Sequence, residues 1–182
     1  GINPAMAMSE LINELDALNV RHPGDKNFTL LTPVHLTMGS KAYGVSAGSA
    51  ELHYTLRTWS EEVMDQLKTK LAGILAKTAQ RHSLLCKTEW FDYFPSAVNH
   101  EVCNDMIRKA AVKNGFQLVE REEPFKFGED FGWYTKQYPS AMFGLGAGTN
   151  VPALHSDDYD FPDELIDTGI RMFTGIIGEL LG

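Results

Sequence analysis

The chain has 182 residues, with 16 Lys and Arg against 24 Asp and Glu, and a net charge of −8. Such a length fits one domain or two small ones, and 43% hydrophobic with 22% charged residues excludes a disordered chain. The acidity excludes a nucleic-acid binder, which needs a basic footprint, and no apolar run approaches the ~18–20 residues of a membrane span.

In chain order, Asn3-Pro4 is a helix-start signal, an N-cap followed by Pro at the first helical position. Met8, Leu11, Ile12, Leu15 and Leu18 then recur at helical spacing, and His22-Pro23-Gly24-Asp25 is a turn cluster. Phe28 to Met38 reads as a strand whose Pro33 demands an edge position or a bulge. Ala50, Leu52, Tyr54 and Leu56 alternate with Glu51, His53, Thr55 and Arg57, the period of a strand buried on one face. Between them, residues 39–49 carry three glycines and exceed a tight hairpin turn. Thr58-Trp59-Ser60-Glu61 has the pattern of a capping box. A helix with Val63, Met64, Leu67, Leu71, Ile74 and Leu75 on one side follows and runs to about Arg81. Leu84 to Tyr93 is expected to be a third strand. Residues 1–93 thus read α-β-β-α-β, a ferredoxin-like unit without its first strand.

Phe94-Pro95 marks a boundary, so residues 94–182 form the second expected domain. Asn99 is placed to cap a helix with Val102, Met106, Ile107 and Ala110 on one face, closed by Asn114-Gly115. Phe116 to Val119 and Ala141 to Leu145 are expected strands, with a helix from Asp130 to about Lys136 between them. The last helix begins near Phe161-Pro162 and is apolar at Leu165, Ile166, Ile170, Met172, Phe173, Ile176, Ile177, Leu180 and Leu181. The alternation is that of an α/β layer.

None of the six histidines stands in an H-x-H or H-E-x-x-H arrangement. His35 and His53 read as strand residues, His22 and His82 as solvated, and His100 lies near a helix start. His155 differs, because it sits in a loop after an apolar strand and a Gly-rich turn. Ligands bind at such loops in open α/β sheets. It is a candidate metal or catalytic residue, or a loop histidine beside a helix whose aspartates complement the dipole. Glu129-Asp130 opens a helical turn, a dipole complement in its plain reading. Arg57 ends a strand on the polar face, where its planar fork is either solvated or suited to a substrate carboxylate. Gly144, Gly146 and Gly148 do not make a dinucleotide fingerprint. Cys86 and Cys103 make neither a disulfide framework nor a metal knuckle, and Gly1-Ile2-Asn3-Pro4 does not open a signal peptide, so a cytoplasmic setting is expected.

Taken in order, several stretches resemble the signature of the M20 metallopeptidases. They are Gly1-Ile2-Asn3-Pro4-Ala5, Glu51 to Thr58, Pro95 with Asn99, Gly128-Glu129-Asp130-Phe131, Tyr138-Pro139 with Phe143 to Gly148, and Leu154-His155-Ser156 with Tyr159-Asp160-Phe161. They are most similar to the amidohydrolase branch that includes aminoacylases, hippurate hydrolases and auxin-conjugate hydrolases. The resemblance implies a ferredoxin-like lid over residues 1–93 that makes a homodimer, and the C-terminal part of a catalytic domain over residues 94–182. It implies a divalent metal, zinc or else manganese or cobalt, and an N-acyl amino acid or peptide-like substrate whose amide is cleaved. His155 falls on the family's last metal-ligand position. Arg57 falls on the lid arginine that binds the substrate carboxylate, and Glu129 on the acid pair flooring the site.

The family's H-x-C-G-H-D stretch, its paired glutamates and a further histidine precede G-x-N-P-A and are absent here. Gly44-Val45-Ser46-Ala47 stands where the lid has N-V-I-P, and Gly128 stands where the branch has Ser. Zinc wants three or four protein ligands, so the chain alone is expected to be inactive, as the C-terminal half of such an enzyme. The alternative is a non-catalytic dimerisation or small-molecule-binding module derived from one.

Overall fold

The computed structural model describes residues 1–182. The chain divides into two compact units, residues 1–96 with 123–128, and residues 97–122 with 129–182.

The first unit is built from α1 (Ala5–Asp16), β1 (Thr29–Met38), β2 (Ala50–Thr58) and α2 (Glu61–Arg81). The start of α1 lies one residue later than the pattern suggests: Pro4 is the N-cap, its carbonyl accepting the Met8 N–H, while Asn3 before it accepts the Ala5 N–H at 2.9 Å through its side chain. Strands β1 and β2 pair antiparallel in a two-stranded sheet. Between Pro33 and His35 the register shifts by a bulge, at the proline that has no N–H to give. Before the bulge Leu31 faces Leu56; after it Leu36 faces Leu52 and His35 faces His53. The extra residue moves the core-side positions of β1 from odd to even numbers, and a leucine stays on the core side at each end. Gly39 closes the hairpin with φ +56°, its N–H bonding the Ser49 carbonyl, and a Cβ there would lie 2.8 Å from Ala47 Cβ. Only glycine meets both demands.

Leu15 of α1, Leu31 of β1, and Leu67 and Leu71 of α2 make the buried cluster, with Leu18, Leu52, Tyr54, Leu56, Met64 and Ile74 packed around it. Polar bonds lock the turn after α1 to β1: Thr29 Oγ1 donates to the Leu18 carbonyl at 2.6 Å, and Asn19 Oδ1 accepts the Leu31 N–H at 2.7 Å. The cap of α2 differs from the expected box by two residues. Ser60 is the N-cap and accepts the Val63 N–H at 3.3 Å, while Thr58 donates to the Ser60 carbonyl. Trp59 stacks on buried Phe28 at 4.1 Å between ring centroids and donates to the Pro23 carbonyl.

The third strand expected over Leu84 to Tyr93 does not form. The sheet ends at two strands, Ser83 and Asp92 take positive φ, and Leu85 and Phe91 are exposed. A strand needs a neighbour's free edge, and this segment instead runs by α2, with the Lys68 ammonium over Tyr93 at 4.5 Å and Trp90 at 5.5 Å.

The second unit holds α3 (Glu101–Lys113), the single turn α4 (Gly132–Thr135) and α5 (Glu164–Leu181). Neither Phe116–Val119 nor Ala141–Leu145 joins a ladder, so the expected α/β layer is here a helical pair with extended segments. The helix expected over 130–136 shrinks to α4, and α5 starts at Glu164, beyond Phe161-Pro162. Asn99 does not cap α3; His100 is the N-cap position. Asn99 instead clamps Met142, accepting its N–H at 2.9 Å and donating to its carbonyl at 2.8 Å, as a strand neighbour would. Helix α3 ends in a Schellman motif: the Phe116 N–H bonds the Ala111 carbonyl, the Gly115 N–H bonds that of Val112, and Gly115 has φ +71°.

Ala110, Ala111 and Met172 are the buried residues between α3 and α5, with Ile107, Phe116, Phe143 and Ile176 packed against them. A Cβ on Gly175 would lie 3.2 Å from Ala110 Cβ and 2.8 Å from Asn114 Nδ2. That amide is pinned to the Ala110 and Arg171 carbonyls. Arg108 gathers Glu101, Asp105 and Glu120 at 2.7–2.8 Å. Its guanidinium holds the Glu101 carboxyl below the usual range and ties residue 120 to α3.

Candidate functional site

Arg57 lies on the face of β2 that carries Glu51, His53 and Thr55, opposite the leucine cluster, because strand side chains alternate. It is half-buried, and its Nη1 donates to the Lys126 carbonyl. That bond commits one of five N–H donors and fixes the guanidinium at the end of the ladder. The same stretch packs again at Gly128, whose Cβ would lie 3.1 Å from the Phe94 ring.

Glu129 and His155 both belong to the second unit. Glu129 is exposed, just before the α4 turn in which the Trp133 N–H bonds the Asp130 carbonyl. His155 is exposed and takes φ +70°, in the left-handed region that non-glycine residues seldom occupy. It sits where two turns meet. The Ser156 N–H bonds the Ala153 carbonyl, the Tyr159 N–H bonds the Ser156 carbonyl, and Ser156 Oγ donates to Asp158 at 2.5 Å. A non-glycine residue in that conformation costs about 1–3 kcal/mol, and such strain gathers at ligand sites.

No three or more His, Cys, Asp or Glu side chains gather into a group that could hold a metal ion. His155 is a single donor, and these residues alone do not fit a zinc centre.

Three histidines depart from the sequence expectation or extend it. His82 is not solvated: its Nε2 lies 2.9 Å from Glu10, its side chain is 23% exposed, and Arg81 engages the same carboxylate. The bond from His82, with the Arg81 charge, holds the Glu10 carboxyl below its usual range. His35 and His53 do lie on strands, and the bulge sets them opposite each other, with ring centroids 5.4 Å apart and planes at 71°, edge to face. The signal for that pairing is present in the sequence as the phase slip from Leu31 and Pro33 to Leu36 and Met38.

The profile of the family described as peptidase family M20/M25/M40 matches residues 4–179. The N-acetyldiaminopimelate deacetylase of Bacillus licheniformis is 28% identical over 174 residues, covering 93% of this chain and 45% of that protein. An N-acetyl-L-cysteine deacetylase of Bacillus subtilis is 27% identical over 146 residues, 80% of this chain and 35% of that one. Among solved structures, a dinuclear metal binding peptidase from the M20 family of Bacillus subtilis superposes with a TM-score of 0.73 at 22% identity, over 96% of this chain and 45% of the other. An amidase of the hydantoinase/carbamoylase family from Burkholderia vietnamiensis gives 0.62 at 15% identity, over 76% and 32%. These likenesses show an α+β fold similar to M20 peptidase domains. The chain spans about half the length of the relatives it matches. No helix is long and apolar enough to cross a membrane.

Proposed function

Because the chain belongs to peptidase family M20/M25/M40, we propose that it is part of a metal-dependent amidohydrolase that removes the acyl group from an N-acyl amino acid. The match over residues 4–179 carries this reading, supported by relatives named as deacetylases of N-acetylated amino acids. Residues 1–93 act as a ferredoxin-like lid that makes a homodimer, and residues 94–182 as the end of the catalytic domain, in a cytoplasmic enzyme.

Arg57 binds the substrate carboxylate. With Nη1 held by the Lys126 carbonyl, Nε and Nη2 form the edge left for a two-point contact. Glu129 lines the substrate site. His155 is one metal ligand, and its left-handed backbone is consistent with a position kept for a ligand. The other ligands and the general base lie outside these 182 residues. A divalent metal, zinc, manganese or cobalt, held in part by His155, would supply polarisation of the amide carbonyl and activation of water.

The test is hydrolysis of N-acetyldiaminopimelate and N-acetylcysteine by the protein purified from its natural source, with and without a chelator. Turnover abolished by the chelator and restored by zinc, manganese or cobalt is expected. Arg57→Ala should raise KM by about 10- to 100-fold with a smaller effect on kcat. Absence of hydrolysis in the metal-loaded protein overturns the catalytic reading in favour of a binding or dimerisation module.

A further inference from the structure

We propose that His35 and His53 form a two-imidazole chelate for a late first-row divalent cation, copper(II) or nickel(II), on the exposed face of the β1–β2 ladder. The inference lies within the first unit and does not depend on the deacetylase reading.

Three observations carry it. The residues are direct cross-strand partners, which places their Cβ atoms about 5 Å apart. Their rings meet edge to face with centroids at 5.4 Å, and both residues are exposed. Small rotations of unpacked side chains therefore suffice to turn one nitrogen of each ring toward a shared ion at about 2 Å. Glu51 adds the third element. It lies on the same face two residues from His53, with its carboxylate 3.5 Å from His53 Nε2. A carboxylate beside Nε2 favours the proton there and leaves the Nδ1 lone pair free for a metal, the arrangement that orients metal-bound histidines. Its charge also attracts a dication.

The donor set selects the metal. Two imidazoles are too few for a zinc site, which takes three or four protein donors. Copper(II) and nickel(II) accept a tetragonal set of nitrogen and oxygen donors in which solvent completes the shell, and copper(II) binds tightest in the divalent series. The bulge is what makes the pair. If the ladder ran through Val34 without a bulge, His35 would fall opposite Leu52 on the Leu31 face, and no imidazole would face His53.

The experiment titrates the 182-residue chain with the metals alone. Calorimetry with nickel(II) is expected to give a site filled by one ion per chain. Losing either ring, as His35→Gln or His53→Gln, should weaken that site about 100-fold, the usual advantage of two linked donors over one, and the double variant should lose no more. In parallel, substoichiometric copper(II), which is paramagnetic, should broaden the imidazole signals of His35 and His53 together and before any other histidine. That measurement uses the unaltered chain, so it decides the matter even if a variant fails to fold. Broadening that begins at His22, His82, His100 or His155 overturns the proposal, as does a nickel affinity unchanged in His53→Gln.

Discussion

The two units solve the same packing problem with different side chains. In the first, four leucines from two helices and a strand meet, and large aliphatic groups fill the space between layers. In the second, α3 and α5 meet through Ala110, Ala111, Gly175 and a single Met172. Small residues bring the helices close, but they remove little apolar surface from water. The apolar groups of α5 are correspondingly turned outward: Ile166, Ile170, Phe173, Ile177 and Leu180 form a stripe at helical spacing and are each more than half exposed. A leucine core is stabilised by what it buries, whereas the small-residue contact is held by closeness of fit. They should therefore fail in opposite ways, the first when atoms are removed and the second when atoms are added.

The largest effect is expected from Leu71→Ala. Truncating a buried leucine costs about 2–5 kcal/mol, to be read as a lower denaturant midpoint followed by the fluorescence of Trp59, which stacks on the same unit's Phe28. Next is Gly175→Val, where added methyl groups meet Ala110 and the pinned Asn114 amide; overpacking costs about 1–3 kcal/mol and should lower the thermal midpoint. Gly175→Ala sharpens the point, since the contact penalty is opposed by about 1 kcal/mol of helix propensity and the net change should be small. If Gly175→Val proved harmless, the distinction between the two cores would collapse. Gly115→Ala, forcing a Cβ into φ +71°, should cost about 1 kcal/mol by thermal melting.

The smallest effect is a pH dependence on the surface of the first unit. His82, first, and then the Arg81 charge keep the Glu10 carboxyl below its ordinary range. A depressed carboxyl contributes stability that is fully present above its unfolded value, about 4.3, and is lost as pH falls through the lower folded value. Urea midpoints measured downward from pH 5 should therefore fall less steeply in Glu10→Gln than in the parent, and added salt should narrow the gap.

What the sequence made legible was local. The leucines of α2, the alternation of β2 and the Asn114-Gly115 stop each act within a few residues, and the structure has all three. The expected strands at 84–93, 116–119 and 141–145 failed because extended backbone becomes a strand only beside a partner, and pairing is decided by distant residues. Asn99 shows the same limit: its type suits a helix cap, yet its amide bonds Met142, forty-three positions away. At the candidate site, the position of Arg57 at a strand end and of His155 in a loop could be read directly. The Lys126 carbonyl that holds the guanidinium and the left-handed backbone at His155 could not, since neither has a signature in neighbouring residues.

The bulge in β1 works like an inserted letter in a text read two characters at a time. Everything after it is read in the other frame, and the hydrophobic pattern of Leu36 and Met38 makes sense only in that frame. Substitution at Val34, the exposed extra residue, alters one letter and should be tolerated. Deletion of the same residue takes the inserted letter out and leaves the pairing on either side as it is. His35 then follows Pro33 directly and still faces His53, with Leu36 still opposite Leu52, so the leucines keep the core side. The region should accordingly accept replacement or loss of Val34, whereas one residue added between Pro33 and His35 without a second bulge would turn Leu36 and Met38 to the polar side.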